Sequence, residues 1–213
     1  MKKSILALCA LTLAAGLSAC GGGSSDFTIS GTVTGLEHPG LILTNNLSDD
    51  LPVGPLGKDD KGNVRNVTYQ FGKQLSYGDT YNVTIKKQPD HQKCEPGGGT
   101  AETAGRLSVI NAVFNCVLSS HTIGGTITGL NSDGLILNNG GNQFIANKNT
   151  TTNAYPGEFT FGAPVVYGTT YGVTVLAQPK NEICTVSGGV GEMKDDDVKT
   201  IVVTCTARPP AAA

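Results

Sequence analysis

The sequence predicts an all-β protein, two tandem small antiparallel β-sandwiches behind a cleaved export signal, and three observations carry that prediction. Apolar and polar residues alternate with a period of two, helical periodicity is nearly missing after Cys20, and from Phe27 onward the motifs occur twice in one order. Charged residues make up 15%, under the roughly 25% of an average soluble domain, while Gly (29) is abundant and Trp is absent. A net charge of −2 offers no field to gather nucleic acid, and none is expected as a partner.

The repetition sets the organisation. Thr28-Ile29-Ser30-Gly31-Thr32-Val33-Thr34-Gly35-Leu36 returns as Thr122-Ile123-Gly124-Gly125-Thr126-Ile127-Thr128-Gly129-Leu130, and Gly40-Leu41-Ile42-Leu43 as Gly134-Leu135-Ile136-Leu137. Tyr69, Phe71 and Gly72 match Phe159, Phe161 and Gly162. Tyr77-Gly78 and Tyr81 match Tyr167-Gly168 and Tyr171, and Gln88-Pro89 matches Gln178-Pro179. So many matches in one order indicate an internal duplication, with units at 27–118 and 121–207. Val117 to His121 joins them and permits only limited bending, and residues 208–213 form a frayed tail.

Each unit reads as short strands. Ile29, Gly31 and Val33 alternate with Ser30, Thr32 and Thr34, and Tyr81, Val83 and Ile85 with Asn82, Thr84 and Lys86. Ile110, Ala112 and Phe114 lead inward to Cys116, as Ile201 and Val203 lead to Cys205. A sheet with one apolar face must bury it, and without helices its partner is a second sheet.

Ahead of the repeats, Met1-Lys2-Lys3 and the apolar run Ile5 to Leu17 have the layout of a secretory signal, residues 1–19. Leu17-Ser18-Ala19-Cys20 resembles the lipobox of bacterial lipoproteins, which implies that Cys20 is acylated and becomes the mature N-terminus. The rival reading is an ordinary signal peptide cut near Ala19. Cys20 and the linker to Asp26 form a lipidated tether, residues 20–26, with a random-coil span of about 13 Å. The resemblance implies a membrane partner through the lipid anchor and a bacterial cell-envelope address, on a periplasmic or surface face. Gly21, where some inner-membrane lipoproteins have Asp, implies the outer membrane.

The run Gly31-Thr32-Val33-Thr34-Gly35, Leu41-Ile42-Leu43, Tyr69-Gln70-Phe71 and Gly78-Asp79-Thr80-Tyr81-Asn82-Val83 resembles prealbumin-like or carboxypeptidase-regulatory-like modules. These are immunoglobulin-like (Ig-like) sandwiches frequent in secreted bacterial proteins. The resemblance covers nearly all of Phe27 to Ala207, rests on turn and core residues, and implies a fold rather than an activity.

Of six cysteines, Cys94, Cys116, Cys184 and Cys205 remain for the folded part, and an even number in an exported chain reads as disulfides. Four thiols allow three connectivities. Because each copy carries its own pair, Cys94 is expected with Cys116 and Cys184 with Cys205.

No catalytic signature follows, and no enzyme, cofactor or metal site is expected. His38, His91 and His121 align with Ser132, Asn181 and Phe27, so none recurs, and none has a partner at ligand spacing. Asp59-Asp60-Lys61-Gly62-Asn63 places a cation where a calcium loop needs an oxygen, and reads as a solvated turn. Asp195-Asp196-Asp197 could offer carboxylates to calcium but reads as a charged turn before the last strand. Gly97-Gly98-Gly99 and Gly188-Gly189 read as hairpin tips. Tyr77, Tyr81, Tyr167 and Tyr171 could stack on sugars, though Tyr81 and Tyr171 lie in phase with the core.

The segments that differ most between copies, Leu47 to Asn66 and Gly140 to Gly157, are where recognition would evolve. Leu51, Val53 and Leu56 in the first, and Phe144 and Ile145 in the second, are the candidate contacts. The apolar run Leu51 to Leu56 is either a contact patch or an irregular edge strand. The expected role is a non-catalytic module, structural or binding an envelope protein; the alternative is a carbohydrate or surface-polymer binder.

Overall fold

The computed structural model describes residues 26–209, which leaves Cys20 and the signal segment outside the described residues. The first unit contains β1 (Phe27–Thr34), β2 (Leu41–Asn45), β3 (Asp49–Val53), β4 (Val67–Leu75), β5 (Thr80–Lys87), β6 (Gln92–Gly98), β7 (Ala101–Thr103) and β8 (Ile110–Leu118). A short β9 (Ser120–His121) links it to β10 (Ile123–Thr128), β11 (Ile136–Asn139), β12 (Asn142–Ile145), β13 (Glu158–Thr160) and β14 (Val165–Val166). The second unit closes with β15 (Thr170–Ala177), β16 (Glu182–Ser187), β17 (Val190–Glu192) and β18 (Val198–Ala207). The described residues contain no helix.

The two units have corresponding strand orders. One sheet runs β4-β1-β8-β6 and the other β3-β2-β5-β7; their counterparts are β13-β10-β18-β16 and β12-β11-β15-β17. Between each pair of sheets lies a separate core. Ile29, Val33, Leu43, Phe71 and Phe114 are buried in the first, and Ile123, Leu137, Phe161, Met193 and Ile201 in the second. The period-two pattern dictates this arrangement, because alternate side chains on a strand point to opposite faces and only one face is apolar.

In each unit one pairing departs from the antiparallel expectation. β1 runs parallel to β8, with Ile29 opposite Ile110 and Val33 opposite Phe114, and β10 runs parallel to β18. Parallel neighbours need a long connection, which first and last strands of a unit supply. A unit therefore begins at one pole and ends at the other, and tandem units follow end to end.

Close approach explains the repeated glycine in the middle of the first strand. A Cβ on Gly31 would lie 1.9 Å from the Ala112 carbonyl oxygen and 2.5 Å from the Tyr69 hydroxyl oxygen. That hydroxyl donates to the same Ala112 carbonyl at 2.7 Å, and burial pushes the Tyr69 phenol well above its ordinary range. At Gly125 a Cβ would lie 1.9 Å from the Ile201 carbonyl oxygen.

The repeated Gln-Pro also acquires a reason. β6 and β16 are sheet edges, with backbone groups that lack a strand partner on one side. The Gln88 amide pairs with Cys94 as a strand would: its oxygen accepts from the backbone N–H at 2.7 Å and its nitrogen donates to the carbonyl at 3.0 Å. Gln178 does the same for Cys184, at 2.7 and 2.9 Å. Cys94 is bonded to Cys116 and Cys184 to Cys205, each joining the edge strand to the last strand of its own unit.

Gly97-Gly98-Gly99 is not a hairpin tip. β6 pairs with β8 while the next strand, β7, pairs with β5 in the opposite sheet, so these glycines lie where the chain crosses between sheets. Gly188-Gly189 lies at the same crossing between β16 and β17.

Candidate functional site

The variable segment of the first unit is part strand and part loop. After a turn in which Leu47 is 83% exposed, Leu51 and Val53 lie on β3, an edge strand paired to β2. Val53 is buried and Leu51 packs against the core, whereas Leu56 is exposed. Beyond it the chain closes on itself: Lys58 bridges Val64, and the Arg65 N–H donates to the Gly57 carbonyl at 3.0 Å. Asp59 holds the tip, accepting from the N–H groups of Lys61 (2.9 Å) and Asn63 (2.8 Å). The bond from the Asn63 side chain leads the causes that keep its carboxyl below the usual range. Its oxygens thus serve the turn.

In the second unit, Phe144 and Ile145 also fall on a strand, β12. Phe144 packs on the core with its ring 5.8 Å from that of Phe159, while Ile145 faces outward. The loop that follows is polar. Asn149 accepts from the N–H groups of Thr151 and Thr152, both at 2.9 Å, and its own N–H donates to the Ala154 carbonyl at 2.8 Å. Tyr155 donates to Asp133 at 2.9 Å, and the Lys148 ammonium lies 5.6 Å from its ring centroid. Asn147, Lys148, Asn149 and Tyr155 line an open concavity. It is hydrogen-bonding in character with one aromatic face.

Sequence reasoning left the histidines scattered, and the fold gathers them at the junction between units. The His91 ring stacks on Tyr167 at 4.0 Å and 7°, and His38 meets both rings edge-on, at 5.0 and 5.7 Å. The His91 Nδ1 lies 2.7 and 2.9 Å from the two Asp195 carboxylate oxygens. His121 stands 3.9 Å from Asp197, whose carboxylate accepts from the Thr122 N–H at 2.8 Å. That backbone bond is the leading reason its carboxyl stays below the usual range. The connection itself joins the second unit, with Ser120 and His121 paired to Val166 and Val165. The run Asp195 to Asp197 therefore has two of its carboxylates engaged at this junction.

The alignment of the copies carried one partial signal: His91 stands where the second copy has an exposed Asn181, whereas His38 stands where Ser132 is itself buried. Replacing His91 with Ala removes the stack and the carboxylate contact, interactions of order 1 kcal/mol at a partly exposed site. Both units should keep their folds, while the distance distribution between spin labels on the two units broadens. An unchanged distribution would show that the linker pairing alone sets the geometry.

The tyrosines divide by position. Tyr81 is buried and Tyr171 packs on the second core, whereas Tyr167 lies at the junction and Tyr77 is 74% exposed at the far pole of the first unit. They form no row.

No protein-family model matches this sequence, and no curated protein matches it. Among solved structures, the major pilin protein (T3.2) from Streptococcus pyogenes is similar at 13% identity and a TM-score of 0.25. The match covers 87% of this chain and 99% of that one, a superposition too loose to bear on fold or role.

Proposed function

We propose that this protein is a non-catalytic bacterial lipoprotein, held at the cell envelope through acylated Cys20, whose two sandwiches present protein-binding loops away from the membrane. The observation that supports this most is the opposite-pole placement of each unit's ends. It leads the chain from its N-terminal tether through two successive units, and within the segments that differ between copies the turns at 58–64 and 150–153 contribute no member to either core.

Packing limits which residues can be exchanged without loss of fold. Exchanging all of Leu47 to Asn66 would delete β3 and the buried Val53, so the replaceable parts are Lys58–Val64 and Thr150–Asn153, whose flanking residues are hydrogen-bonded to each other. Replacing each with Gly-Asn should leave both units folded, since loop length carries a small entropic cost. A partner crosslinked in intact cells should then be lost. Retention of that partner by the folded, shortened protein refutes the loop assignment. Replacing Cys20 with Ala should release the protein from the membrane fraction, and an N-terminal peptide without lipid in the wild type refutes the anchor.

A second reading rests on the polar concavity of the second unit. Tyr155, flanked by Lys148 and Asn149, offers one stacking face and several hydrogen-bonding groups to a sugar polymer. Loss of polymer retention on Tyr155→Ala, with the protein partner unaffected, would select it.

A further inference from the structure

We infer that the free pole of the first unit is a membrane-contacting face, with Tyr77, Leu107 and Val109 dipping into the lipid interface; this rests on the anchor at Cys20 proposed above. β1 starts at this pole, the turn after β4 and the start of β8 meet there, and the three side chains are 74%, 57% and 67% exposed. The second unit supplies an internal comparison. Its equivalent pole carries Lys194-Asp195-Asp196-Asp197 where the first has Gly105-Arg106-Leu107-Ser108, and its Tyr167 is covered by His91. Of the two equivalent poles, the one beside the tether thus has the larger apolar exposure, while the covered one is mainly polar with Val166 as its exposed apolar side chain.

Chain length selects the occupant. Residues 21–26 reach at most about 22 Å when fully extended, so a lipidated Cys20 keeps this pole within that distance of the bilayer. A second copy cannot be interposed, because β1 alone rises roughly 27 Å over its eight residues. Charge is not the attraction. Arg106 is bonded to Glu102 at 3.2 Å and Asp79 accepts from the Ser76 N–H at 2.9 Å, so beside apolar area and a tyrosine the face has only Lys73 as an exposed cation outside an ion pair among the described residues. Contact should therefore be as strong on zwitterionic as on anionic vesicles.

The absence of tryptophan provides the test. Leu107→Trp places a single reporter on this face and Leu176→Trp, at an exposed site of the second unit, provides the control. Full-length protein of each kind is reconstituted into phosphatidylcholine vesicles with and without brominated acyl chains. An apolar face lying some 5–10 Å into the interface should lose at least about half of the Leu107→Trp emission, with the control unchanged. Equal, weak quenching of both reporters in lipidated protein overturns the contact and leaves the anchor standing. A blue-shifted Leu107→Trp emission without vesicles overturns it too, because the preceding segment or a second copy then covers the face. If the N-terminal peptide carries no lipid, the anchor falls, and quenching by added vesicles alone decides whether the face itself binds membrane.

Discussion

Replacing Phe114 with Ala should destabilise the first unit by about 3–5 kcal/mol and leave the second nearly untouched. Phe114 is fully buried on β8, opposite Val33, at the middle of the first core. Truncating a buried phenylalanine removes its transfer free energy and leaves a cavity that close-packed neighbours fill only in part. The two cores have no member in common. What couples the units is the junction at His91, Tyr167 and the β9 pairing, too few contacts to transmit a loss of that size. Calorimetry of the variant should show one transition lowered by about 12 °C or more, at roughly 4–8 °C per kcal/mol for a unit of this length, beside one near its original temperature. A single transition that falls as a whole would show that the units unfold together.

Much of this fold was legible because strand physics repeats every two residues. The inward set Ile29, Val33, Tyr81, Val83, Ile85, Ile110, Ala112 and Phe114 was readable from alternation, and all are buried except Ile85, which is half-buried at the end of its strand's core face. Parallel pairing of β1 with β8 was not legible, since alternation states which face is apolar and says nothing about which strand lies alongside. Of the two readings open for Leu51 to Leu56, the edge strand holds as far as Val53, while β12 had looked like part of a loop. Leu51-Pro52-Val53 breaks the alternation with a proline, and an edge strand tolerates that because one side of its backbone needs no partner. The junction was hidden for another reason: His91 meets Tyr167 and Asp195 only once two units are placed pole to pole, and no local pattern encodes that placement. Glu182 and Gln92 show the converse. Both are buried at matching positions, yet Gln92 donates to the Gly35 carbonyl at 2.7 Å and accepts from the N–H groups of Glu37 and His38, whereas Glu182 accepts from the Ser132 hydroxyl. The copies thus fasten the same turn with different chemistry, at the pole where one meets a neighbour and the other does not.

Substituting Cys94 and Cys116 together with Ala should lower the stability of the first unit by roughly 3 kcal/mol in the chain-entropy model, the second-largest effect expected. The bond spans 22 residues and ties an edge strand to β8, the strand that also pairs with β1. The cross-link acts chiefly on the unfolded chain, whose freedom it restricts, so the folded unit should keep its shape when the bond is absent. Its backbone pairing remains, as does the side-chain pairing of Gln88 with residue 94, which uses only main-chain atoms of that residue. At about 1 kcal/mol per molar for a unit this small, the urea midpoint of the first unit should fall by about 2–3 M while that of the second stays. Cys184→Ala with Cys205→Ala should produce the reverse, its loop being of nearly equal length at 21 residues. Reduction of the wild type should lower both midpoints together, so the protein is at full stability only where thiols are oxidised. Midpoints unmoved by reduction, or a peptide map joining Cys94 to Cys184, would contradict the assignment of one staple to each unit.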